Sequence, residues 1–133
     1  MCMPTSLAML ANTTVESILK LIGHDGSEIL DDSQPEPTGR RAFHMDELTH
    51  AAYQLGIGLI RFDGTLMHQH RPPVNTQYAH AYLSYGPGLI ATMGQRNGHM
   101  AAWDGSRIYD PTTPKTIDKV PDRLIAFWLA VNF

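Results

Sequence analysis

The sequence predicts an α+β domain, with helices first and an antiparallel sheet after them. Three observations carry this. Apolar residues recur at helical spacing as far as Gly56. Beyond Gly56 they fall instead into short runs of strand length. Between two of those runs stands Asp104-Gly105, a two-residue hairpin signal. A chain of 133 residues, 43% of them hydrophobic, is long enough to bury one real core and fits a single domain over 1–133.

Taken in order, Pro4 suits a first helical turn, where its missing N–H is harmless, and Leu7, Leu10 and Ala11 share a face. Thr13 to Glu16 has capping-box spacing with Thr13 as N-cap. Val15, Ile18, Leu19 and Ile22 then form a stripe that Gly23 stops. This region reads as two short helices or one kinked one. Residues 24–41, rich in proline, glycine and acid, read as a loop. Asp46 and Glu47 suit the first turn of the next helix. Its face is Leu48, Ala51, Ala52 and Leu55, and Gly56 ends it. Strands are expected at Ile57 to Phe62, Leu89 to Met93, His99 to Trp103, Arg107 to Tyr109 and Arg123 to Val131. Asp63-Gly64 and His68 to Asn75 read as turn or loop. In the last strand both alternate sets are apolar: Leu124, Ala126, Trp128 and Ala130, then Ile125, Phe127, Leu129 and Val131. That strand is therefore expected to be covered on both faces.

Composition excludes several roles. The formal net charge of −3 leaves no basic footprint for nucleic acid. No apolar run approaches the ~20 residues of a membrane span, and no secretory signal is evident. A single cysteine rules out an internal disulfide and fits a reducing cytoplasm. His68, His70 and His80 match no closed zinc pattern, so neither metal nor cofactor is expected.

One constellation carries chemistry. Cys2 opens the first helix, where the dipole and a neighbouring imidazolium would favour the thiolate. His99 stands on a strand, and Asp110 follows the strand after the hairpin. A histidine so placed can accept the thiol proton while the carboxylate orients its ring. Asp104 belongs to the turn, which makes Asp110 the preferred carboxylate.

The order Cys-x-x-Thr-Ser-Leu-Ala-Met-Leu, then Gly-His-x-x-x-Trp-Asp-Gly, then Ile-Tyr-Asp-Pro resembles the papain-like cysteine peptidases. The closest branch is the compact one of bacteria and phages, similar to the bacteriocin-leader-processing (double-glycine) peptidases. The resemblance runs from Cys2 to Pro111. It implies a papain-like fold with N-terminal helices packed on an antiparallel sheet. It also implies Cys2 as nucleophile, His99 as general base and acid, Asp110 as orienting carboxylate, and a peptide or protein substrate. The family's oxyanion glutamine has no counterpart before Cys2, where only Met1 stands. The Cys2 backbone N–H is one oxyanion donor, and Gln95 and Asn97 are candidates for the second. Trp103 is a candidate wall of the substrate groove.

Two function classes stay open. One is a thiol-dependent hydrolase or acyltransferase acting on a peptide or isopeptide bond through Cys2, His99 and Asp110. The other is a non-catalytic papain-like interaction protein, phage-encoded, that binds a host protein. Either places the protein in a bacterial cytoplasm. Removal of Met1 would expose an N-terminal amine as a competing base.

Overall fold

The change of periodicity at Gly56 is where helix gives way to sheet. A computed structural model describes residues 1–34, 39–63, 65–66, 74–75, 81–93, 98–112, 116–117 and 124–132. The helices are α1 (Cys2–Leu10), α2 (Val15–Ile22) and α3 (Met45–Gln54). The strands are β1 (Ile57–Asp63), β2 (Thr65–Leu66), β3 (Val74–Asn75), β4 (Gly88–Met93), β5 (Gly98–Trp103), β6 (Ile108–Tyr109), β7 (Thr116–Ile117) and β8 (Leu124–Asn132). A 3₁₀ turn, Leu83–Tyr85, precedes β4. One sheet runs in the order β1-β8-β4-β5-β6-β7, every neighbouring pair antiparallel, and β2 with β3 forms a small ribbon. The molecule is thus α+β.

Local chemistry sets the helix ends. α1 and α2 are separate helices, and Asn12 between them has φ 53°. The N-cap of α2 is Thr14, not Thr13: its hydroxyl accepts from the Ser17 amide at 3.1 Å. The expected box falls one residue early because Ser17, not Glu16, stands three residues past the cap. Gly23 closes α2 with φ 95°, a left-handed conformation that favours glycine. Ile18 is the fully buried residue of α2, and Leu21 rather than Leu19 joins Val15 and Ile22 against the core. α3 starts with a capping box formed by His44 and Glu47. Leu48, Ala51 and Ala52 are fully buried, whereas Leu55, at the helix C-cap, is exposed.

The sheet is covered on both faces. Toward the helices, Leu89, Met100, Ala126 and Trp128 pack with Leu7, Ala8, Ile18, Leu48 and Ala51. On the other face Ile90, Ala101, Trp103, Ile108, Leu124 and Phe127 pack with Leu83. The Trp103 indole N–H donates to the Leu83 carbonyl at 3.0 Å, fastening the 3₁₀ turn to that face. Gly88 lets β4 lie close to β8, since a Cβ there would run into the Trp128 carbonyl.

One irregularity changes the expected side-chain phase. β4 and β8 pair regularly from Gly88↔Leu129 to Ala91↔Ala126, after which Thr92 faces Leu124 and Ile125 is skipped. Ile125 and Ala126 therefore both pack toward the helices, and Leu124 joins Phe127 on the opposite face. Strict alternation through Leu124 fails because a bulge inserts one residue and shifts the phase. Two further expectations are corrected. The β5–β6 turn is centred on Gly105 and Ser106, one residue later than expected, with Asp104 and Arg107 paired through Asp104 N–H to Arg107 O at 3.1 Å. Val74–Asn75, expected in a loop, is the strand β3. Gly64, His68 and Arg123 lie outside the described residues.

Candidate active site

β5 begins with Gly98 and His99, and the hairpin brings the chain back beside it as β6. The register Ala102↔Tyr109 and Trp103↔Ile108, continued past β6, brings Asp110 level with Ala101 and diagonal to His99. The side chains meet there: His99 Nε2 lies 2.8 Å from Asp110 Oδ1. The imidazole is 27% and the carboxylate 16% exposed, so the pair is partly sheltered yet reachable. Since the ionised carboxylate can only accept, Nε2 carries the proton and donates to it, and Nδ1 is the nitrogen left with a lone pair in neutral His99.

Asp110 is held as an anion. Burial opposes its ionisation, but the Thr112 hydroxyl, the Thr112 amide and His99 all bond to it and keep its carboxyl below the ordinary value. Asp104 serves the turn instead. Its Oδ1 accepts from the Ser106 and Arg107 amides at 2.7 and 2.6 Å.

Cys2 is the first residue of α1, partly buried, and it packs against the helix-side core. Its level along β5 follows from two contacts. The buried Ser6 hydroxyl donates to the Met100 carbonyl at 3.1 Å. Farther along α1, Ala8 and Leu10 line a cleft together with Ala102 and Trp103. α1 and β5 thus run in the same sense. From Ser6 back to Cys2 is about 6 Å of helix, roughly two strand residues before Met100. The thiol therefore stands at the end of the sheet where His99 enters it. First-turn amides of a helix lack intrahelical partners, so Cys2 and Met3 offer N–H donors at this end.

His99 nevertheless has the pleat parity of Ala101 and Trp103, on the face opposite Met100. From that face its ring could reach Cys2 only around the end of the sheet. Among the described residues no hydrogen bond joins Cys2 to His99. The β8 bulge flanks Thr92, the cross-strand partner of His99.

Trp103 does not wall a groove beside the dyad. It sits four residues along β5 from His99, about 13 Å away, and is 8% exposed in the core. It lines instead the cleft at the other end of β5, about 540 Å³, with Met9, Leu10, Asn12, Pro87 and Tyr109. Gln95 and Asn97 lie outside the described residues, as do His68, His70 and His80. Among the described residues no cluster of three or more potential ligands could hold a metal, and no helix is long and apolar enough to cross a membrane.

A second histidine–carboxylate pair escaped sequence reasoning. His24 Nε2 lies 2.5 Å from Glu47 Oε2, and His24 Nδ1 accepts from the Gly26 amide at 3.0 Å. The His24 ring stacks on Phe43. Glu47 Oε1 accepts from the His44 amide. No local spacing signals this pair, whose members stand 23 residues apart. With both His24 nitrogens engaged, this pair clasps the 24–44 segment to α3 and leaves no nitrogen for a substrate.

No protein-family model, no curated protein and no solved structure matches the chain.

Proposed function

We propose that this protein is a thiol-dependent hydrolase of papain-like type, acting on a peptide or isopeptide bond through Cys2, His99 and Asp110. The observation that carries the reading is the His99–Asp110 pair at 2.8 Å, made through Nε2. It leaves Nδ1 as a base at the sheet end where α1 starts with the thiol. A helix N-terminus favours the thiolate.

The chemistry closes without a cofactor. Nδ1 takes the Cys2 proton as sulfur bonds to the substrate carbonyl carbon. The tetrahedral oxyanion faces first-turn amides of α1. Its collapse breaks the C–N bond, and the imidazolium gives its proton to the departing amine. A water deprotonated by the same nitrogen then attacks the thioester, releasing the acid and restoring the thiol. Asp110 stabilises the imidazolium throughout and takes no proton. A reducing compartment such as the bacterial cytoplasm suits a site that works as a free thiol.

The second reading is a papain-like protein that binds a host protein without chemistry. The missing Cys2–His99 hydrogen bond among the described residues favours it. A peptidyl vinyl sulfone, which alkylates thiolates, separates the two. The hydrolase reading expects one adduct per chain by intact mass, located at Cys2 and absent in Cys2→Ala. Unmodified protein after prolonged incubation would leave the interaction reading.

A further inference from the structure

Asp110 Oδ1 accepts three hydrogen bonds: from His99 Nε2 at 2.8 Å, from the Thr112 amide at 2.8 Å and from the Thr112 hydroxyl at 2.7 Å. We propose that Thr112 is the positioning residue of the His99–Asp110 pair, its hydroxyl and amide fixing the carboxylate before the histidine reaches it. This rests on the hydrolase reading for its consequence in catalysis, but not for its geometry.

Two other sites in the same chain show that the local motif stands without a histidine. Asp25 accepts from the Ser27 amide and hydroxyl at 3.0 and 2.5 Å. Asp31 accepts from the Ser33 amide and hydroxyl at 3.0 and 2.6 Å. Each is an acid followed two residues later by a hydroxyl residue, and both acids are exposed. The aspartate orientation is therefore set from within the three-residue turn. At Asp110 the same turn contains Pro111, whose ring fixes φ and stiffens it. There alone, among these three turns, the carboxylate is partly buried and its bonded oxygen also takes an imidazole N–H.

The consequence is a defined division of labour. The two Thr112 donors stabilise the carboxylate as an anion, so it has little tendency to take the Nε2 proton bonded to the same oxygen. The carboxylate orients the ring and stabilises its cation, while the mobile proton stays on Nδ1. A free carboxylate could swing off the ring, and Nε2 would then exchange its proton with water.

The test compares wild type with Thr112→Val, which removes only the hydroxyl donor, and Thr112→Ser, which keeps it. The readout is exchange of the His99 Nε2 proton with water by ¹H–¹⁵N NMR, with the Met100 to Ala102 amides as reference. Thr112→Val should accelerate Nε2–H exchange about fivefold, the equivalent of one hydrogen bond of ~1 kcal/mol. The strand amides should not change, and Thr112→Ser should restore the wild-type rate. Unchanged exchange in Thr112→Val, or equal acceleration of the strand amides, overturns the positioning role. Iodoacetamide alkylation of Cys2 in wild type and His99→Ala is run in parallel. If Nε2–H exchange responds to Thr112 while alkylation ignores His99, the positioning stands and the hydrolase reading fails.

Discussion

Replacing His99 with alanine is expected to slow acylation of Cys2 by p-nitrophenyl acetate roughly 10²–10⁴-fold, the usual contribution of a positioned acid–base group. The measurement is the burst rate of nitrophenolate release near neutral pH, with Cys2→Ala setting the background. The expectation rests on the bond of Nε2 to Asp110, which assigns the base role to Nδ1. Asp110→Asn should slow the same burst by less, because the imidazole remains but loses its anionic partner. The pH dependence has a defined sign. The Asp110 carboxyl is held below its ordinary value against the opposing effect of burial. Its contribution is therefore complete above the ordinary carboxylate range and is lost only as pH falls through the depressed value. A His99→Ala burst equal to wild type would remove histidine from the mechanism.

The second large effect is on stability. Phe127→Ala should destabilise the domain by about 3–5 kcal/mol, as for other fully buried aromatic truncations. Phe127 is 0% exposed and lies in β8 between β1 and β4, opposite Phe62 and Ile90. Its ring centroid is 6.3 Å from that of Phe62, which itself stacks on Tyr82 at 4.1 Å. Truncation thus opens a cavity between the sheet and the 81–85 segment, where neighbours on three elements cannot all collapse inward. Urea unfolding followed by tryptophan fluorescence measures the loss, since Trp103 and Trp128 report from opposite faces. A change below ~1 kcal/mol would mean that this face of the sheet is not a packed core.

Much of the fold was legible because the patterning is strong. The helical stripe through Ile18 and Leu48 and the change of period at Gly56 mark real boundaries. The doubly apolar run is a central strand with core on both faces as far as Ala130, while Val131 at its end is exposed. What escaped were the two-residue strands β2, β3 and β7 and details of one residue. The cap was read at Thr13, from its spacing to Glu16, whereas the backbone places it at Thr14. The bulge at Ile125 leaves no mark in a run where every residue is apolar, since alternation has nothing polar to break it. Asp104-Gly105 announced a hairpin correctly, but which residues sit at its tip depends on the pairing of Asp104 with Arg107.

Of the candidate site, the His99–Asp110 pair was legible. His99 and Asp110 are eleven residues apart, and the intervening hairpin converts that separation into a contact. Cys2 depends on how α1 lies across the sheet, and no local pattern encodes that. The buried Ser6–Met100 hydrogen bond, spanning 94 positions, ties α1 to β5 at the residue that follows His99. Trp103 invited a functional role through its place in the motif, yet its indole N–H is committed to Leu83 and its ring to the core. The His24–Glu47 clasp involved a histidine without any sequence constellation, because its partner lies 23 residues on.

The central claim is that Cys2 and His99 act as one unit at the start of β5. The bifunctional reagent 1,3-dibromoacetone tests it directly, since its three-carbon bridge joins a thiol to an imidazole only when the two are neighbours. After digestion, mass spectrometry should find the Cys2 peptide bridged to the His99 peptide through a single acetone unit, with no bridge in His99→Ala. Cys2 alkylated at one end only, with His99 unmodified and the second bromide hydrolysed, would contradict the account.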